Sequence, residues 1–260
     1  MNPYQPPSAA ADVPMSSPTA IQPFTVGRAI AQGFSLYFSN LPLIAGVTLV
    51  VFTPVELIKS YLLHAAGQED NTMLTIRVEG LLESVFGALV AAALLPALAH
   101  KIETGRDLGL RAALGGGLRR WSAVFAARFS AGLRIVVGFF LLVIPGLVLT
   151  VRYALTDEVA ALEHARSAKR TLGRSQDLVQ GYAWRIVAVG FVAFLPVIAV
   201  SVADGFVTAL NGSWIVAALA DCVNDVAYRF LLVQMLVIYL ALAREKAPEE
   251  VSSGRPVGAA

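Results

Sequence analysis

Acidic side chains interrupt otherwise apolar stretches of this chain, and their spacing sets out the chemistry they could carry. Glu79 and Glu83 stand four residues apart, so a helix would place them on one face; Asp221, Asp225 and Arg229 repeat that interval. Glu56 and Arg152 each stand in apolar surroundings of their own. Charges in such surroundings are rare unless they pair or line a wet cavity. Carboxylates brought together there would supply hard oxygen ligands for a cation, or one of them would act as a proton acceptor. Alternatively, Asp225 with Arg229, and Arg152 with an acid of its own region, would be buried ion pairs that only set helix register.

Other chemistries lack their residues. A nucleotide-binding loop needs a lysine and a hydroxyl after its glycines, and Gly115, Gly116 and Gly117 are followed by Leu118 and Arg119. Neither a G-x-S-x-G elbow nor an H-E-x-x-H zinc pair occurs, and His64, His100 and His164 fall near the ends of different apolar runs. No catalytic residue, metal site or cofactor is expected, because no nucleophile stands beside a base. Cys222, the single cysteine, lies in an apolar stretch and reads as a packing residue.

The elements that must position these acids are read from hydropathy. Of 260 residues, 57% are hydrophobic and 15% charged, with a mean hydropathy of +0.67; soluble domains carry about 25% charge. Residues 186–203 form an 18-residue uncharged run, long enough to be a membrane-spanning helix. The expected fold is all-α, a polytopic helical membrane bundle with about six spans in three hairpins: 41–63, 79–99, 124–144, 147–162, 186–203 and 226–243. The last is extended backwards to near Trp214, and a tight turn at Pro145 and Gly146 separates the third from the fourth. Residues 1–24 are proline-rich and read as a disordered tail, as do residues 247–260, leaving 25–246 as the transmembrane domain.

Charge decides sidedness. Between Lys101 and Arg134 stand seven basic residues against Glu103 and Asp107; from Arg166 to Arg185 stand five against Asp177. The positive-inside rule places both clusters in the cytoplasm, which requires an even number of crossings between them. Arg152, Asp157 and Glu158 make the 147–162 span costly, yet this parity argues for it. Both termini are then expected to be cytoplasmic. The basic clusters flank spans without a soluble module to present them, so anionic headgroups of the bilayer are the expected partner and nucleic acid is not.

Arg28-Ala29 before Pro54, Arg111-Ala112 before Pro145, and Arg166 with Ala168 before Pro196 hint at a threefold hairpin repeat, against independent hairpins of similar build. Leu110, Leu114, Leu118, Trp121 and Phe125 recur at helical spacing beside Arg111, Arg119 and Arg120, the pattern of an interfacial amphipathic helix weakened by its three glycines.

Ile144-Pro145-Gly146, then Arg152, Glu163, Ala168, Arg174-Ser175, Leu178-Val179, Gly181 and Trp184 resemble the pattern of a family of uncharacterised bacterial multi-pass proteins. That family includes the membrane domain fused to some glycerophosphoryl diester phosphodiesterases and is similar to the YciC-type inner-membrane proteins. Asp157 and Glu158 depart from its apolar run before the glutamate, and Tyr239 to Arg244 lacks the acid of its Tyr-x-Asp-x-Arg ending. The resemblance implies a helical inner-membrane protein without an established activity. The expected function is therefore a non-enzymatic multi-pass protein that organises lipids or partners. The alternative is a small-solute, cation or proton transporter using the buried acids.

Overall fold

The computed structural model describes residues 24–68, 71–163 and 167–252, and among these it contains helices and no strand. The proline-rich leader, Glu69, Asp70, His164, Arg166 and residues 253–260 lie outside the described residues. Among the described residues five helical stretches are long and apolar enough to cross a membrane: Leu41–Ala65, Met73–Thr104, Leu110–Leu141, Ala183–Leu210 and Trp214–Lys246. Such an architecture is compatible with an integral membrane protein.

Helix α1 (Val26–Ser39) buries Ala29, Gly33 and Tyr37, one residue per turn, and Tyr37 donates to the Val226 carbonyl at 2.9 Å. Helix α2 (Leu41–Ala65) follows after Asn40 and carries Pro54 inside it. Helix α3 (Thr72–Leu82) starts where the Asn71 side chain accepts from the Leu74 N–H at 3.1 Å, satisfying one of the free donors of the first turn. A π turn over Glu83–Gly87 joins it to α4 (Ala88–Thr104), and Gly105, at φ +70°, ends that helix. Helices α9 (Ala183–Asn211) and α10 (Trp214–Ser252) complete the bundle. Helix α10 continues into the segment expected to be a disordered tail.

Burial sorts the long helices. In their most apolar windows the α3–α4 rod and α10 are 56% buried, α2 33%, and α5 (Leu110–Leu141) and α9 only 22%, so the first two form the core and the last two its rim. The rim faces stay apolar where exposed, as at Phe129, Leu133, Phe191 and Leu195.

The stretch expected to be a separate interfacial helix is the first part of α5 (Leu110–Leu141), a single 32-residue helix. Its glycines serve contact. A Cβ on Gly117 would stand 2.9 Å from Cα of Ala93, so the missing side chain lets α5 lie directly on α4, whereas Gly115 and Gly116 face open space. Gly117→Val is expected to cost about 1–3 kcal/mol by overpacking. Gly115→Ala, which meets nothing and gains helix propensity, is expected to hold or raise the melting temperature in detergent.

The expected turn at Pro145 and Gly146 is displaced. The chain reverses at Leu142, which is extended at φ −167°, and Pro145 falls in the first turn of α6 (Val143–Arg152), where its missing N–H is not needed. Gly146 acts as a contact instead, 3.1 Å from where a Cβ on Gly138 would lie. The expected span 147–162 is not one helix: it divides into α6 and α7 (Thr156–Leu162), of 10 and 7 residues. Alone, neither covers the roughly 30 Å of a hydrocarbon core at about 1.5 Å per residue. The break holds because Ser175 of α8 (Ala168–Val179) serves both of its ends, donating to the Arg152 carbonyl at 3.0 Å and accepting from the Leu155 N–H at 3.3 Å.

Candidate functional site

The π turn brings the first part of the site together. A wider turn disrupts the regular helical ladder and turns carbonyls to outside donors. The Glu83 carbonyl accepts from Arg128 Nη1 at 2.9 Å, and the Val85 carbonyl accepts from Trp121 Nε1 at 2.8 Å. The Glu83 carboxylate takes Arg229 in a two-pronged pair, Nη1 to Oε1 at 2.9 Å and Nη2 to Oε2 at 2.5 Å. Arg128 continues the chain to Asp157, with Nη2 to Oδ2 at 2.5 Å and Nε to the same oxygen at 3.1 Å. Gly87 is the condition for this arrangement, because any Cβ there would strike the Glu83 carboxylate and come within 2.7 Å of Arg128 Nη1.

Arg229 is 1% exposed and lies over the Phe52 ring, its guanidinium carbon 5.0 Å from the centroid. The expected Asp225–Arg229 pair is present only at 3.9 Å, and Glu83 is the closer partner. Helical spacing correctly placed the two on one face; the stronger contact came from another helix.

The second part is centred on Lys59, 6% exposed. Its ammonium lies against Glu56 one turn earlier, 2.8 Å from Asp221 Oδ2 and 3.3 Å from Glu79 Oε1. A cavity of about 320 Å³ opens beside it, lined by Glu56, Lys59, Glu79, Glu83, Asp204, Asp221 and Asp225 among others. A second cavity of about 320 Å³ is bordered by Arg128, Asp157, Glu158 and Arg229. Glu83 and Tyr228 line both.

The acids expected in one polar centre, Glu56, Glu79, Glu83, Asp221 and Asp225, are thus gathered around the first cavity. Arg152 is not part of it: its side chain is exposed, and the acid of its region, Asp157, is held by Arg128. Sequence reading missed Lys59, Arg128, Asp157, Glu158 and Asp204 as members. Lys59 had a signal, a cation one turn after Glu56 within an apolar helix. Arg128 had none, being one of several arginines ahead of an apolar run.

None of the family-pattern residues Pro145, Gly146, Glu163, Arg174, Ser175, Gly181 and Trp184 lines either cavity. Glu163 accepts from Arg174 Nε at 3.2 Å and from the Tyr239 hydroxyl at 2.9 Å. Gly181 takes φ +88°, where a side chain would be strained, and Trp184 is exposed. Among the described residues no three His, Cys, Asp or Glu side chains converge as metal ligands.

No family model matches the chain, and no curated protein or solved structure matches it.

Proposed function

We propose that this chain is a multi-pass membrane protein that binds and passes a compact monovalent cation through the Lys59 cavity. One observation carries the reading: among the described residues six carboxylates, Glu56, Glu79, Glu83, Asp204, Asp221 and Asp225, line a space in which Lys59 is the one lining cation. Even with Glu83 assigned to Arg229, the remaining acids outnumber the lysine. Carboxylates confined in a low-dielectric bundle attract a cation strongly, because their repulsion is screened far less than in water. Lys59 acts as the resident counter-ion that an arriving cation displaces. The reading carries no enzymatic step.

The reading includes a sixth crossing made of α6 and α7 together, and it keeps the expected cytoplasmic termini in a bacterial inner membrane. Its support is an antiparallel path along α5. Gly138 meets Gly146, Arg134 faces the Tyr153 ring, Arg128 holds Asp157, and Arg120 donates to the Ala161 carbonyl. A second reading, the organisation of anionic lipids, draws on Arg111, Arg119 and Leu118, which are exposed together on α5.

Radiolabelled sodium and rubidium uptake into liposomes holding the purified full chain tests the main reading. The parent is expected to accumulate one of these ions, and Glu79→Gln combined with Asp221→Asn to reduce uptake by roughly tenfold or more, about 1.4 kcal/mol on the barrier. Equal uptake with and without protein would defeat it.

A further inference from the structure

The Arg128 cavity holds a carboxyl that the cation reading leaves unused. Glu158 is 1% exposed and lines this cavity; its carboxyl bonds only to its own backbone, and among the described residues its Oε2 has no hydrogen-bond partner. Its neighbours are already committed, Asp157 to Arg128 and Glu83 to Arg229. Among the described residues no cation lies within ion-pairing distance of it. A buried carboxylate in that position costs several kcal/mol unless it is neutralised, and a space of about 320 Å³ admits the water that would bring a neutralising proton.

We propose that Glu158 is a proton-binding site, and that its proton exchanges against cation occupancy of the Lys59 cavity through the chain Asp157–Arg128–Glu83–Arg229. This rests on the cation reading above and adds a second substrate, the proton. The two cavities meet at Glu83 and Tyr228, so a positive charge in either is felt across a single ion-paired wall. A cation entering beside Asp225 adds one positive charge, and the proton leaves a Glu158 oxygen for water in the Arg128 cavity. When the cation departs, a proton returns to that oxygen.

The charged and titratable groups around Glu158 are Asp157 and Glu163 in its own part of the chain, Glu83 in the π turn, Arg128 on α5 and Arg174 on α8. Helix α10 adds Tyr228, Arg229 and Tyr239. The buried stretch of α4 next to α7 is apolar.

The test uses the full chain in liposomes with a pH-sensitive dye in an acidic lumen and sodium or potassium chloride added outside. The parent is expected to make the lumen alkaline on cation addition. Glu158→Gln is expected to slow this by roughly tenfold or more, while keeping the cation-dependent rise in melting temperature in detergent. Parent-like exchange by Glu158→Gln, or cation uptake by the parent without proton movement, overturns the proposal and leaves the cation reading standing. A parent that neither takes up nor is stabilised by either cation overturns both. Should Glu158→Gln fail to fold, the parent in weakly buffered detergent decides: stoichiometric proton release on cation addition supports exchange, and none refutes it.

Discussion

Glu83→Ala is expected to lower stability by about 3–5 kcal/mol, the loss typical of removing one partner from a buried ion pair. Arginine cannot shed its proton, so the substitution strands the Arg229 guanidinium, whose side chain is 2% exposed, with only the more distant Asp225. Removing both charges should be much less harmful. A hydrophobic pair in place of a buried ion pair is often neutral or better, so Glu83→Leu with Arg229→Leu is expected to recover most of the loss. Melting temperatures of the two variants in the same detergent decide the matter. If the single and the double variant melt together, the pair has no net coupling and the centre is held by packing.

Lys59→Met is the second large effect. It replaces the aliphatic stem with an apolar one of similar reach while removing the ammonium, leaving Glu56, itself 3% exposed, and Asp221 without their cation. A loss of about 3–5 kcal/mol is expected in a medium without small cations. Sodium or potassium should restore part of it, because a cation bound in place of the ammonium stabilises the folded state by about 2.7 kcal/mol at a hundredfold excess over its dissociation constant. The melting temperature of this variant should therefore climb with salt more steeply than that of the parent, and choline chloride at equal ionic strength should not reproduce the climb. Identical responses to sodium, potassium and choline would identify Lys59 as a purely structural partner of its carboxylates.

Both substitutions touch groups that local spacing only partly exposes. Glu79 with Glu83, and Asp221 with Asp225 and Arg229, were legible because a helix repeats its faces every three to four residues. Partner choice was not legible. Arg229 sits one turn from Asp225, yet its short bonds go to Glu83 on another helix. The π turn that aims Glu83 at Arg229 and Arg128 has no signature in the residues Glu83–Gly87 beyond Gly87, whose need for a bare Cα appears only once the carboxylate lies over it. Asp157 and Glu158 stood out as costly charges in an expected span; what became of them depended on Arg128, which approaches from α5.

Amino-acid order by itself determined the all-helical class and set five of its six expected spans on the five long apolar helices, because a continuous apolar run of that length is visible locally and needs no partner to be recognised. It also marked which acids stand in apolar surroundings. Tertiary structure alone decided that Lys59 and Arg229 each neutralise acids brought by other helices, that Ser175 holds open the break between α6 and α7, and that, among the described residues, Oε2 of Glu158 is left without a hydrogen-bond partner. The physical reason is that an ion pair or a freed backbone group is satisfied by whatever lies within about 3 Å, and that distance is set by how helices cross, which no single segment encodes.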